Sequence, residues 1–197
     1  MNTSLRKITG CLVLLSCIAA VSAGCGTAEN PVSANPMGLS GIYVKEAETN
    51  YALARALWGN TEVCRDPKQA ILYLDKTIEL APDYADAYMR RGLAKSDLRD
   101  WDSAFDDITV AIRLEPKPDY YAYRGLVSMR GGNSLGARKD FNRSLEIKSG
   151  QHRAWNFRGG LNILLHDYPA ACADFKKGCS NGDCTGFESA KQNGYCD

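Results

Sequence analysis

Small residues recur along this chain at a nearly fixed step, and that step limits the fold more than any other feature. Gly92, Gly125 and Gly159 are separated by steps of 33 and 34, and Ala70, Ala104, Ala137 and Ala171 by steps of 34, 33 and 34. Each of these glycines precedes the next of these alanines by a constant step of twelve. One helical turn after every Ala comes a large apolar side chain: Leu74, Ile108, Phe141 or Phe175. One turn before every Gly comes an aromatic one: Tyr88, Tyr121 or Trp155. A period of this length marks an array whose single unit cannot bury its apolar face and leans on copies of itself.

Inside one period the apolar residues follow the helical step. Ala104, Phe105, Ile108, Ala111, Ile112 and Leu114 are spaced by three and four, which predicts a helix over Trp101 to Leu114. Pro116 forbids its continuation. A partner helix is predicted over Ala87 to Leu98. Upstream, Ile42, Tyr43, Ala47, Tyr51, Ala54, Leu57 and Trp58 predict a helix to about Trp58, ended by Gly59-Asn60. Pro67 can open the next at its first turn, and Pro82 stops it. Gly on the first helix of each pair and Ala on the second let the axes approach at the close end of the ~8–10 Å range. The first unit departs, with Trp58 where the others carry Gly.

A second regularity concerns charge. Arg91, Arg124 and Arg158 each precede the repeat Gly, and Asp107, Asp140 and Asp174 follow them at one constant offset. These positions can face each other across a helical hairpin. The expectation is an inter-helix ion-pair ladder with one rung per repeat, rather than arginines reserved for an anionic ligand, because each Arg comes with its own Asp.

This periodic Gly/Ala/aromatic pattern resembles the tetratricopeptide repeat (TPR) over about Tyr51 to Cys179. The resemblance implies an all-α, right-handed α-solenoid of antiparallel helix pairs. We expect about four units over residues 41–182 and a C-terminal capping helix within 183–197. It also implies a concave groove that holds a peptide or helix of a partner protein. By register that groove would carry Met89, Leu93, Ser96 and Asp97, then Ala122, Leu126, Met129 and Arg130, then Asn156, Gly160, Ile163 and Leu164. Half of these are expected to belong to the core. The Lys and Asn side chains with which some TPR domains clamp a C-terminal carboxylate are largely missing, so an apolar helix or extended segment is the expected ligand.

The N-terminal residues read as an export signal over residues 1–24. Arg6 and Lys7 precede a mostly apolar run from Ile8 to Ala20, shorter than a membrane span needs. Ala23-Gly24-Cys25 resembles the lipobox of bacterial lipoproteins, which would make Cys25 the acylated first mature residue, although Ser22 stands where that pattern has Leu. Val21-Ser22-Ala23 also has the small-x-small shape of ordinary cleavage after Ala23. Several acyl chains, each methylene worth ~0.8 kcal/mol when buried, would hold such a protein on a membrane. Residues 25–40, rich in Gly, Ala, Ser, Asn and Pro after Cys25, read as a tether of at most about 50 Å.

The formal charge is +1, and removal of residues 1–24 would take away Arg6 and Lys7 and no acid. So near-neutral a chain is not built to bind nucleic acid by its net field. Four cysteines crowd the end: Cys172, Cys179, Cys184 and Cys196. Their spacing lacks a CxxC pair, and an exported chain favours disulfides over zinc. A last helix folding back antiparallel would nest Cys179–Cys184 inside Cys172–Cys196 and leave Cys64 free.

The chain has no HExxH, GxSxG or P-loop pattern. His152 and His166 are expected near opposite ends of one helix. Gly131-Gly132-Asn133-Ser134 reads as a hairpin turn, and Trp58, Trp101 and Trp155 as packing residues. Asn142-Arg143-Ser144 has the form of a glycosylation acceptor but falls inside a predicted helix. No nucleophile–base pair, carboxylate pair or metal triad assembles. We expect a non-enzymatic adaptor at the cell envelope, without cofactor or metal, with a protein or peptide partner. A self-associating structural subunit is the alternative; an enzyme or ligand-binding protein using the Cys-rich tail is the less favoured one.

Overall fold

The computed structural model describes residues 40–59 and 63–197. The export signal, Cys25 and the tether up to residue 39 lie outside the described residues, as do residues 60–62. The described chain is all helical: α1 Ser40–Ala56, α2 Pro67–Leu80, α3 Ala85–Asp97, α4 Trp101–Leu114, α5 Pro118–Arg130, α6 Ser134–Ile147, α7 His152–Leu164, α8 Tyr168–Ser180 and α9 Thr185–Gln192. Consecutive helices pack as hairpins, α1 with α2, α3 with α4, α5 with α6 and α7 with α8, and each hairpin rests on the next. This is an α-solenoid of antiparallel pairs.

The two helices of a pair start differently. Every second helix has a side-chain cap: Asp66, Asp100, Asn133 and Asp167 accept from the backbone N–H of Gln69, Ser103, Gly136 and Ala170. An Asx cap is worth about 1 kcal/mol, and these four recur with the repeat. Just before three of them sits a residue with positive φ: Arg99 at 65°, Gly132 at 85° and His166 at 60°. A left-handed residue followed by an Asx cap is thus the turn inside each of these hairpins. The first helices α3, α5 and α7 begin without a side-chain cap. Their position comes from packing.

The repeat alanines Ala70, Ala104, Ala137 and Ala171 are fully buried, and so are Leu74, Ile108 and Phe141. The repeat glycines lie at the helix crossings. A Cβ on Gly92 would sit 2.6 Å from the Ile108 side chain and 2.8 Å from the Ala104 carbonyl. On Gly125 it would sit 2.6 Å from the Phe141 ring, and on Gly159 2.7 Å from the Phe175 ring. Phe157 was not singled out in the sequence. It joins two core layers, its ring 6.1 Å from both Tyr123 and Phe141.

Two details depart from the sequence reading. The first helix stops at Ala56, so Trp58 lies in the turn that follows; it is buried, with the Arg90 guanidinium 5.2 Å from its ring centre. His152 opens α7, but His166 lies beyond its end.

At the C-terminus α9 packs on α8 and also on α7, the place a further first helix would take. Phe175 sits between the two, because Gly186 of α9 approaches its ring as closely as Gly159 does. Disulfides join Cys179 to Cys184 across the α8–α9 turn and Cys172 to Cys196 beyond α9. Cys64 is a buried free thiol whose pKa burial pushes up.

Candidate functional site: the inner wall

Successive first helices touch directly, α3 on α5 and α5 on α7, and α9 joins α7. Among the described residues no second helix packs on another to that extent. In a curved array the elements that approach most closely form the inner side, so α3, α5, α7 and α9 build the concave wall.

The ladder braces this wall from behind. Arg91 donates to Asp107 through Nε at 2.8 Å and Nη2 at 2.7 Å. Arg124 forks onto Asp140 at 2.8 and 2.7 Å, and Arg158 onto Asp174 at 2.9 and 2.7 Å. The remaining guanidinium nitrogen of each reaches back to the preceding unit: to Asp75 at 2.6 Å, to Thr109 at 3.2 Å and to Asn142 at 2.7 Å. Each Arg also lies over an aromatic ring one turn earlier in its helix, Tyr88, Tyr121 or Trp155. One side chain thus ties its own hairpin and the joint to the one before. The hydrogen bonds to Asp107 are the main reason the Arg91 pKa is held above its ordinary value.

On the wall itself, polar residues one repeat apart satisfy each other. The Tyr120 hydroxyl donates to Asp86 at 2.7 Å, and Arg153 donates to Asp119 at 3.3 Å. Arg130 donates to Asp97 at 2.9 Å and to Ser96 at 3.2 Å, while Asp97 also accepts the Cys64 N–H at 2.8 Å. Burial, and then the bond to Asp86, raises the Tyr120 pKa. Each of these contacts links positions one repeat period apart, so the period itself was the signal that could have revealed them.

The twelve groove positions therefore divide. Met89, Leu93, Ser96, Ala122 and Leu126 are buried and form the core share of these positions. The cause is direct packing between first helices, which covers the central stripe of α3 and α5. Asp97 and Arg130 neutralise each other. Asn156 donates to Asp183 at 2.9 Å and braces the α8–α9 turn. Met129, Gly160 and Ile163 are half-buried, Ile163 packing against the cluster around Phe175, and only Leu164 is exposed. A Cβ on Gly160 would meet nothing within 4 Å, and Leu164 is 62% exposed. Beside them a cleft of about 210 Å³ opens between α7, α8 and α9, with Gly160, Ile163, Phe175, Gly186, Ala190 and Tyr195 in its lining.

The two histidines stand apart from each other. His152 Nδ1 is 3.5 Å from Asp183, and His166 Nδ1 is 3.2 Å from the Tyr168 hydroxyl, at separate places. Among the described residues no group of three or more His, Cys, Asp or Glu side chains could hold a metal ion. No described helix is long and apolar enough to cross a membrane.

The chain resembles known proteins of one architecture. No family model matches it. It is 30% identical over 95 residues to human tetratricopeptide repeat protein 13, which takes in 48% of this chain and only 11% of that protein. A crystal structure of MamA superimposes with a TM-score of 0.55 at 27% identity, covering 68% of this chain and 77% of that one. The structure of YrrB, described as a TPR protein with an unusual peptide-binding site, superimposes with a TM-score of 0.52 at 20% identity over 70% of each chain. The hairpin array is a tetratricopeptide-repeat fold.

Proposed function

We propose that this chain is a non-enzymatic adaptor that holds a peptide or helix of a partner protein against the C-terminal half of its inner wall. One observation carries this reading. The wall is self-satisfied around α3 and α5 but presents an exposed Leu164, with Gly160 and the half-buried Ile163, beside the apolar cleft under α9. An apolar floor with a few polar groups at its edge suits an amphipathic helix or an extended segment. YrrB, with its peptide-binding site on the same fold, supports the assignment by analogy. We further propose that the protein works at the cell envelope, anchored through an acylated Cys25; the support is the residue pattern of the N-terminal stretch up to Cys25.

The test is site-specific photocrosslinking in intact cells. A crosslinker at Ile163 or Leu164 should capture one common product, and a crosslinker at Lys139, exposed on the second helix α6, should not. The product should disappear in Ile163→Glu. Equal capture from Lys139, or capture unchanged by Ile163→Glu, would overturn the groove. A product twice the mass of this chain would instead assign the wall to self-association. The anchor is tested separately by metabolic labelling with an alkyne fatty acid, expected on the wild type and lost in Cys25→Ala.

A further inference from the structure

The chain builds the same seat for a guanidinium more than once. In each, a flat aromatic ring lies beneath the group, a carboxylate faces its forked edge, and a polar oxygen from the neighbouring unit meets its third nitrogen. For Arg124 these are Tyr121, Asp140 and the Thr109 hydroxyl; for Arg158 they are Trp155, Asp174 and the Asn142 amide oxygen.

A cleft of about 450 Å³ between α4 and the end of α5 presents this combination again. That size falls in the ~300–1,000 Å³ range of small-molecule sites. Trp101 and Phe105 supply the rings, Asp102 and Asp106 the carboxylates, and Ser128 a hydroxyl. Asp102 and Asp106 are one helical turn apart and so lie on the same face of α4. Both are exposed, and neither makes a salt bridge among the described residues. Asp102 also offsets the positive end of α4, but Asp106 has no such duty. Ser128 is 5% exposed, and its Oγ is shielded from solvent with no hydrogen-bond partner. A buried hydroxyl without a partner is uncommon and costs about 1–3 kcal/mol. Arg124 stacks 5.1 Å from the Phe105 ring centre, but its charge is already held by Asp140.

We infer that this cleft binds the guanidinium of an arginine side chain from a partner segment. The planar cation would stack on the Trp101 indole, fork onto Asp102 or Asp106, and offer an N–H to Ser128. An ammonium lacks the flat face and the fork, so arginine is preferred over lysine. This site is distinct from the inner-wall groove and does not depend on it.

The experiment titrates the full chain, labelled with ¹⁵N, with acetyl-Gly-Arg-Gly-amide, and separately with the lysine and citrulline versions of that peptide. The arginine peptide should shift the Trp101 indole N–H and the amides of 101–106 and 127–133. The lysine peptide should bind at least threefold more weakly and the citrulline peptide at least tenfold more weakly. The double variant Asp102→Asn/Asp106→Asn changes only exposed side chains, so the fold should be retained, and it should weaken the arginine peptide at least tenfold. Ser128→Ala should weaken it about threefold. Shifts confined to other regions, equal binding of the three peptides, or binding unchanged in the double variant would each overturn the proposal.

Discussion

Replacing a helical glycine by alanine ordinarily stabilises a protein, and this fold should invert that sign at one glycine and keep it at another. Gly92 and Gly160 both lie inside first helices, α3 and α7. The helix-propensity gain of Gly→Ala is about 0.8–1.0 kcal/mol at either place. At Gly160 a methyl group meets nothing within 4 Å, so the gain stands alone. At Gly92 the methyl would lie 2.6 Å from Ile108 Cγ1 and 2.8 Å from the Ala104 carbonyl oxygen. Ile108 is fully buried and the carbonyl is helix backbone, so neither can yield unless α3 and α4 separate. Overpacking of this kind costs typically ~1–3 kcal/mol. With backbone among the colliding atoms the upper end applies, which leaves Gly92→Ala about 2 kcal/mol less stable and Gly160→Ala about 1 kcal/mol more stable. At this chain size that corresponds to a melting temperature lower by roughly 4–8 °C for the first and higher by roughly 2–4 °C for the second. Urea unfolding followed by far-UV circular dichroism measures both. A Gly92→Ala variant as stable as the wild type would show that the close crossing of α3 and α4 does not constrain the fold, and the reasoning would fail. Gly159→Ala should fall between, because the three nearest atoms to the added methyl all belong to the Phe175 ring, the closest at 2.7 Å, and a side chain yields more readily than backbone.

Arg124→Lys should destabilise the array by about 1.5–3 kcal/mol, since one forked bond to Asp140 and the bond to Thr109 are lost and bonds to charged groups carry that magnitude; Arg143→Lys, at an exposed pair with Glu146, should leave the urea midpoint unchanged. Tyr120→Phe should flatten the alkaline part of the stability profile. The Tyr120 pKa is raised in the fold, so its contribution is complete below the ordinary value of 10.0 and is lost as pH rises beyond it. Urea midpoints on the two sides of that value should therefore differ less in the variant, and an unchanged difference would refute this. Cys172→Ser/Cys196→Ser opens a link with a sequence separation of 24, whose loop-closure contribution is about 3 kcal/mol. The loss should fall on α9: amide exchange at Phe187 and Ala190 should quicken while α3 to α6 keep their protection. Uniform quickening would show that the cap and the array unfold as one unit.

How far the chain could be read in advance depends on distance along it. A helix pair is a local object. Its apolar spacing, its closing prolines and its Gly–Ala crossing all lie within about one period, so the solenoid and the bounds of α4 were legible. The constant offset between Arg91 and Asp107, and between their copies, was legible for the same reason, because two antiparallel helices with a short turn bring those positions opposite each other. The Asx caps at Asp66, Asp100, Asn133 and Asp167 carried a signal of equal strength that the apolar pattern obscured.

Residue types and their period by themselves determined that units would stack, where the bulky and small side chains would meet, and which charges would face across a hairpin. Only the tertiary structure decided how closely one first helix lies on the next. That distance sends Met89, Leu93 and Leu126 into the core and lets Asp97 capture Arg130. It also leaves Leu164 exposed. The same packing decided that Trp101 would wall a cleft beside Ser128. Contacts inside a unit follow from spacing. Contacts between units follow from the angle at which whole hairpins settle, and that angle is the sum of many small side-chain fits that no single stretch of sequence contains.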